Sequence, residues 1–208
     1  MNPRLRWSSS IVASIAAVVL SLPCRTSADT LIDTGTPVGF DTWVLSPDQS
    51  LAAQFSIANP VTITSVEGWI LPAWGGTLGI GIALDSSGLP GANLFRSTTE
   101  LDEAWDSSWL GVSSLGWGLS PGTYWVTFDY SLDFGGGMQS GAPQPLGTYA
   151  WSYLDPVSNL PAWSTLTDDG PMDFGVRIAG VPDGGMTVAM LGLAMSGLVW
   201  LRRRLGVC

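Results

Sequence analysis

Seventeen carboxylates, eight arginines, and neither lysine nor histidine limit the chemistry open to this 208-residue chain. Without histidine a serine or cysteine nucleophile lacks its usual base, without lysine a Schiff base lacks its amine, and zinc loses its preferred nitrogen ligands. The two cysteines, Cys24 and Cys208, lie near the ends of the chain. What remains is oxygen chemistry. Glu67, Glu100, Glu103 or an aspartate could serve as paired acid and base on a glycosidic bond, which requires two carboxyl groups facing each other across a cleft. Nothing in the spacing brings such a pair together, and Glu100-Leu-Asp102-Glu103 with Asp106 reads as a solvated acidic loop. No catalytic residue is assigned, and a non-catalytic protein is the expectation.

Two other residue types could bind. Asp168-Asp169-Gly170 with Asp173 gathers several oxygen ligands within one turn, and Asp85-Ser-Ser-Gly88 offers a second acidic loop. Calcium takes about six to eight such oxygens, so a structural calcium ion is the one cofactor these stretches could hold; neither matches the EF-hand loop. Nine of the eleven tryptophans lie between Asp29 and Asp183. Exposed indoles stack on sugar rings, and Trp105, Trp109, Trp151 and Trp163 sit in loop or edge contexts suited to it. Asp106 and Asp155 would accept sugar hydroxyls. Trp69, Trp117 and Trp43 read instead as core residues.

The ends of the chain are organised differently. Arg4 and Arg6 precede an apolar run from Ile11 to Leu22, followed by Thr26-Ser-Ala28 before Asp29. A basic region, an apolar region and a small-residue site in that order make a secretory signal peptide, with cleavage expected after Ala28. At the other end Val181-Pro-Asp-Gly-Gly185 is followed by an uncharged apolar stretch, residues 186–201, and then Arg202, Arg203 and Arg204. Pro182 lacks an amide donor and the paired glycines loosen the backbone, so the five residues are expected to be exposed and to continue neither helix nor strand. The apolar stretch would enter lipid as a transmembrane helix, with the arginines as a cytoplasmic stop. Its sixteen residues span about 24 Å, short of a hydrocarbon core of about 30 Å.

This tail resembles the PEP-CTERM family of sorting signals, in the variant built on Val-Pro-Asp-Ser-Gly, with Gly184 where that variant usually has serine. The resemblance covers the tail alone. It implies recognition by an exosortase, a transpeptidase-like membrane enzyme of Gram-negative bacteria. The implied route is transient anchoring in the inner membrane, removal of the tail, and delivery to the cell surface or extracellular matrix.

Subtracting both ends leaves a piece whose basic side chains are Arg96 and Arg177, with a net charge of about −15. Such a surface repels nucleic acid, which is bound through clustered Lys and Arg. The piece has no cysteine to form a disulfide, and at about 155 residues it is large enough to be held by core burial as one domain. Short β-branched or aromatic runs closed by Gly, Pro, Asn or Asp predict strands at 40–45, 51–57, 61–71, 77–84, 94–99, 110–116, 123–130, 148–153 and 174–179. Residues 135–145 read as a loop. The fold class expected is all-β, a two-sheet sandwich of jelly-roll type, flanked by the signal helix and the C-terminal membrane helix.

Four segments, Gln54-Phe55-Ser56, Ile63 to Trp69, Ile82 to Gly91 and Leu119 to Trp125, give a weaker likeness spanning residues 51–130. It is similar to the choice-of-anchor β-domains of exported proteins, which implies that Ser87-Gly88-Leu89-Pro90-Gly91 is a hairpin turn and Ser120-Pro-Gly-Thr-Tyr-Trp125 opens a core strand. The domain plan is then a signal peptide (1–28), a β-domain (29–180) and a sorting tail (181–208). Two functions stay in view: an exported, non-catalytic surface or matrix protein, or a carbohydrate-binding module, less readily a glycoside hydrolase. Extracellular polysaccharide is the partner the second would take.

Overall fold

The computed structural model describes residues 28–130, 133–154, 161–165 and 172–183. They form eleven strands and no helix: β1 (Asp29–Asp33), β2 (Thr42–Leu45), β3 (Gln49–Ile57), β4 (Val61–Ser86), β5 (Leu89–Leu101), β6 (Ser108–Leu119), β7 (Gly122–Tyr130), β8 (Gly135–Gln139), β9 (Tyr149–Leu154), β10 (Pro161–Ser164) and β11 (Val176–Pro182). The all-β expectation holds, and the strands join into one curled antiparallel sheet. The signal helix and the C-terminal membrane helix expected from sequence fall outside the described residues.

The 26-residue β4 organises the rest. Its first half pairs with β6 on one side and β11 on the other; its second half pairs with β5 and β7. The expected strands 61–71 and 77–84 are thus one strand, bent where Gly75 and Gly76 take φ of +65° and +105°. These angles cost glycine little and other residues much. The hairpin into β5 turns through Ser87 and Gly88, both left-handed, as the primed two-residue turn requires. Along β4's other side β7, β8 and β11 follow one another, and β3, β2 and β1 pair with them in turn. Strands β9 and β10 extend the β3 edge.

Bending brings the two halves face to face over one core. Leu78, Ile80 and Ile82 of β4 and Val126 and Phe128 of β7 meet Ile63, Val66 and Ile70 of β4's other half, with Phe174, Val176 and Ile178 beside them. All of these are fully buried. Gly68 permits the approach: a Cβ there would lie 2.8 Å from the Phe128 ring. The stacked rings of Phe95 and Trp117, centroids 5.6 Å apart and nearly parallel, join β5 to β6 across the fold.

A small second cluster forms on the opposite face of β7. Trp125 is fully buried among Ala52, Ala83 and Ala150, and Trp163 packs on it. Its indole N–H donates to Asp85 Oδ1 (2.8 Å), which also accepts from Gln54 Nε2 (2.8 Å), while Gly88 N donates to Asp85 Oδ2 (3.3 Å). The Trp125 donor, with those of Gly88 and Gln54, holds the Asp85 carboxyl below its usual range against the opposing effect of desolvation. A depressed carboxylate adds stability above its unfolded pKa and loses it as pH falls through the folded one. At neutral pH wild type should therefore melt above Asp85→Asn. The gap in Tm should close as the pH is taken below about 4, a comparison that thermal melts across pH would make.

Two expectations are corrected. Residues 135–139 are β8, not loop, because their glycines let the chain lie against neighbouring backbone: a Cβ on Gly136 would overlap the Leu71 carbonyl oxygen, and one on Gly137 would lie 2.7 Å from the Trp43 carbonyl oxygen. The second concerns Val181 and Pro182, which continue β11 rather than ending it. Asp183 N donates to Pro60 O, so in the alternation of an antiparallel ladder the Pro182 nitrogen points away from β4. Among the described residues no ladder bond is lost to the proline, since β1 pairs β11 only as far as Gly180.

Candidate functional site

The C-terminal end of β11 is the part of the fold that meets a sequence signal. Val176 and Ile178 fix β11 in the core, and the strand lies between β1 and β4 as far as Gly180. There the register shifts by a bulge, and a Cβ on Gly180 would meet Leu31 Cδ1 at 2.8 Å and Thr62 O at 2.9 Å. Beyond it Val181 pairs with Thr62 and Pro182 with Val61. Thr62 Oγ1 donates to Asp183 Oδ1 (2.9 Å), and Asp183 N donates to Pro60 O (3.0 Å). Pro182 and Asp183 are exposed, while Val181 is half-buried. The other chain end arrives at the same place: Asp29 faces Gly180, and Ala28, the expected cleavage point, is exposed just before it.

Residues 180–205 match the VPDSG-CTERM motif. The tail is a PEP-CTERM-type sorting signal. No curated protein matches the chain. The sorting signal makes this an exported protein, processed by an exosortase-type enzyme after transient membrane anchoring. Of its residues, Val181, Pro182 and Asp183 are built into or onto the sheet as described. Gly184, Gly185, Arg202, Arg203 and Arg204 lie outside the described residues.

The structure scatters the four candidate sugar-stacking tryptophans. Trp105, in the loop between β5 and β6, is 75% exposed. Trp109 on β6 is half-buried, edge-on to Trp69 (5.4 Å) and capped by the Arg177 guanidinium 3.8 Å from its ring. Trp151 on β9 packs against the main core and Tyr153, and Trp163 on β10 covers Trp125. They form no common platform. Sequence reading passed over a second exposed indole, Trp74 at the bend of β4, which is 74% exposed. One face of its ring covers Gly135, and Ala104 N donates to Pro72 O, so the two tryptophan-bearing segments are bonded side by side. The Pro72-Ala-Trp-Gly-Gly76 context was the available signal, because a bend displays the side chain it carries.

Several of the described carboxylates have structural work. Asp173 Oδ1 accepts from Gly141 N (2.7 Å), Glu100 accepts from Thr77 Oγ1 (2.7 Å), and Asp85 is taken up as described. Asp168, Asp169 and Asp155 lie outside the described residues. Among the described residues no group of three or more His, Cys, Asp or Glu could hold a metal ion. Both arginines among the described residues are paired, Arg96 with Asp129 (3.3 Å) and Arg177 with Asp33 (3.1 Å). Burial pushes the Asp129 carboxyl up and Arg96 draws it back. Glu67 is half-buried on β4; Glu103 and Asp106 are exposed in the β5–β6 loop.

Proposed function

We propose that this chain is a non-catalytic surface or extracellular-matrix protein, delivered by an exosortase-type system of a Gram-negative bacterium. The observation that carries the reading is the sorting signal at residues 180–205. An acidic domain without histidine or lysine supports it, since it lacks the usual bases and nucleophile activators of enzymes. The curled sheet is read as a two-sheet sandwich of jelly-roll type, in which β4 passes from one sheet to the other. Fractionating cells with and without the processing enzyme tests the proposal. The protein should reach the surface or matrix in the first and stay with the inner membrane in the second; equal distribution in both would refute it.

Carbohydrate binding is the second reading, favoured by one observation: two indoles, Trp74 at the bend of β4 and Trp105 in the adjoining β5–β6 loop, are about three-quarters exposed. Asp102, Glu103 and Asp106 nearby are exposed acceptors for hydroxyls. Affinity electrophoresis in gels containing the host's own extracellular polysaccharide should retard the protein, and Trp74→Ala/Trp105→Ala should run unretarded. Equal mobility of the two proteins would remove this reading.

A further inference from the structure

We propose that residues 181–183 are a latch that gates processing of the sorting signal, and that Thr62 is the positioning residue that keeps it shut. The inference rests on the reading that an exosortase-type enzyme processes the tail. Strand β11 has two parts with different security. Up to Gly180 it is flanked by β1 and β4 and anchored by Val176 and Ile178, both fully buried. From Val181 onward β4 is its one partner among the described residues, because β1 begins at Asp29 opposite Gly180. The bulge at Ala179 and Gly180 marks the division.

The second part is the first half of the signal. A peptide to be cut or transferred must enter the enzyme extended, with backbone groups free to pair there. In the closed strand the Asp183 amide is spent on Pro60 O and the Asp183 carboxylate on the Thr62 hydroxyl. Reach is also short: between Asp183 and Met186, where the apolar stretch begins, the sequence offers Gly184 and Gly185 alone. Fully extended, those three steps span about 11 Å. A closed latch therefore sets the folded domain against the membrane surface, where it shields the motif. Peeling residues 181–183 from β4 frees their backbone and adds about 10 Å of chain. The opening runs from a strand end with one neighbour, the kind of local event that needs no global unfolding.

The test follows the full-length precursor in cells carrying the processing enzyme, by pulse-chase, beside amide exchange on the purified precursor. Thr62→Val keeps the β-branched shape and removes the hydroxyl, so the tail should be lost about five- to tenfold faster, the size of one ordinary hydrogen bond at an exposed position. The Asp183 amide should exchange faster by a similar factor while the Ile178 amide and the Tm stay as in wild type. Thr62→Ser restores the hydroxyl and should return both rates to wild type, which loss of general stability would not explain. If wild type is processed and Thr62→Val is no faster, the latch is overturned and the sorting reading stands. If no variant ever loses its tail, the sorting reading fails and the gate fails with it.

Discussion

Phe174→Ala is expected to destabilise the domain by about 3–5 kcal/mol, a large fraction of the stability a domain of this size commands. Phe174 is fully buried where the two halves of the sheet meet. Its ring is edge-on to Phe128 (6.1 Å) and to Tyr149 (4.7 Å), and its carbonyl accepts from the Tyr149 hydroxyl (3.3 Å). Truncation leaves a cavity bounded by two rings on different strands, which cannot both move in to fill it. Phe174 also stands two residues before β11, so the loss would loosen the strand that carries the sorting signal. Urea unfolding should show a large fall in midpoint with an unchanged slope. A shift below about 1 kcal/mol would mean that the halves are not packed as described.

Gly111→Ala should cost about 3 kcal/mol, at the upper end for an added methyl, because the obstruction is backbone. A Cβ at Gly111 would overlap the Val66 carbonyl oxygen and lie 2.7 Å from the Glu67 Cα. No rotamer relieves that contact; β6 would have to separate from β4. Gly116 on the same strand is the matched control, since a Cβ there meets nothing within 4 Å. Gly116→Ala should be neutral or slightly stabilising, through the smaller entropy of the unfolded chain. Thermal melts of the two variants side by side decide the matter, and equal Tm values would contradict the β4–β6 register.

How much of this was readable in sequence depended on where each strand gets its partners. Strands bounded by clear turn residues were visible: 51–57 and 123–130 became β3 and β7 with small changes at the ends, and Tyr124, Val126 and Phe128 face the core. The glycines of β8 read as loop, because their role is to admit Leu71 and Trp43 backbone from strands far away in sequence. Trp125 lies on the face of β7 that carries Thr127 and Asp129, where Trp163 and the alanines of β3, β4 and β9 bury it; those neighbours come from strands distant in sequence. The sorting tail was legible from residue order, because its parts act on lipid and on an enzyme rather than on the fold. Its attachment was not legible. Pro182 forbids a strand only where its nitrogen must donate, and that depends on β1 stopping at Asp29.

The domain between the two ends therefore brings the expected cleavage point, Ala28, and the first residues of the sorting signal, Val181 to Asp183, to one end of one sheet. Intact-mass analysis of the protein recovered from the surface or medium of its own cells tests this most directly. The expected mass lacks residues 1–28 and also lacks the apolar stretch and arginines of residues 186–208. A mass that retains residues 186–208 would contradict the assignment of the tail as a processed sorting signal.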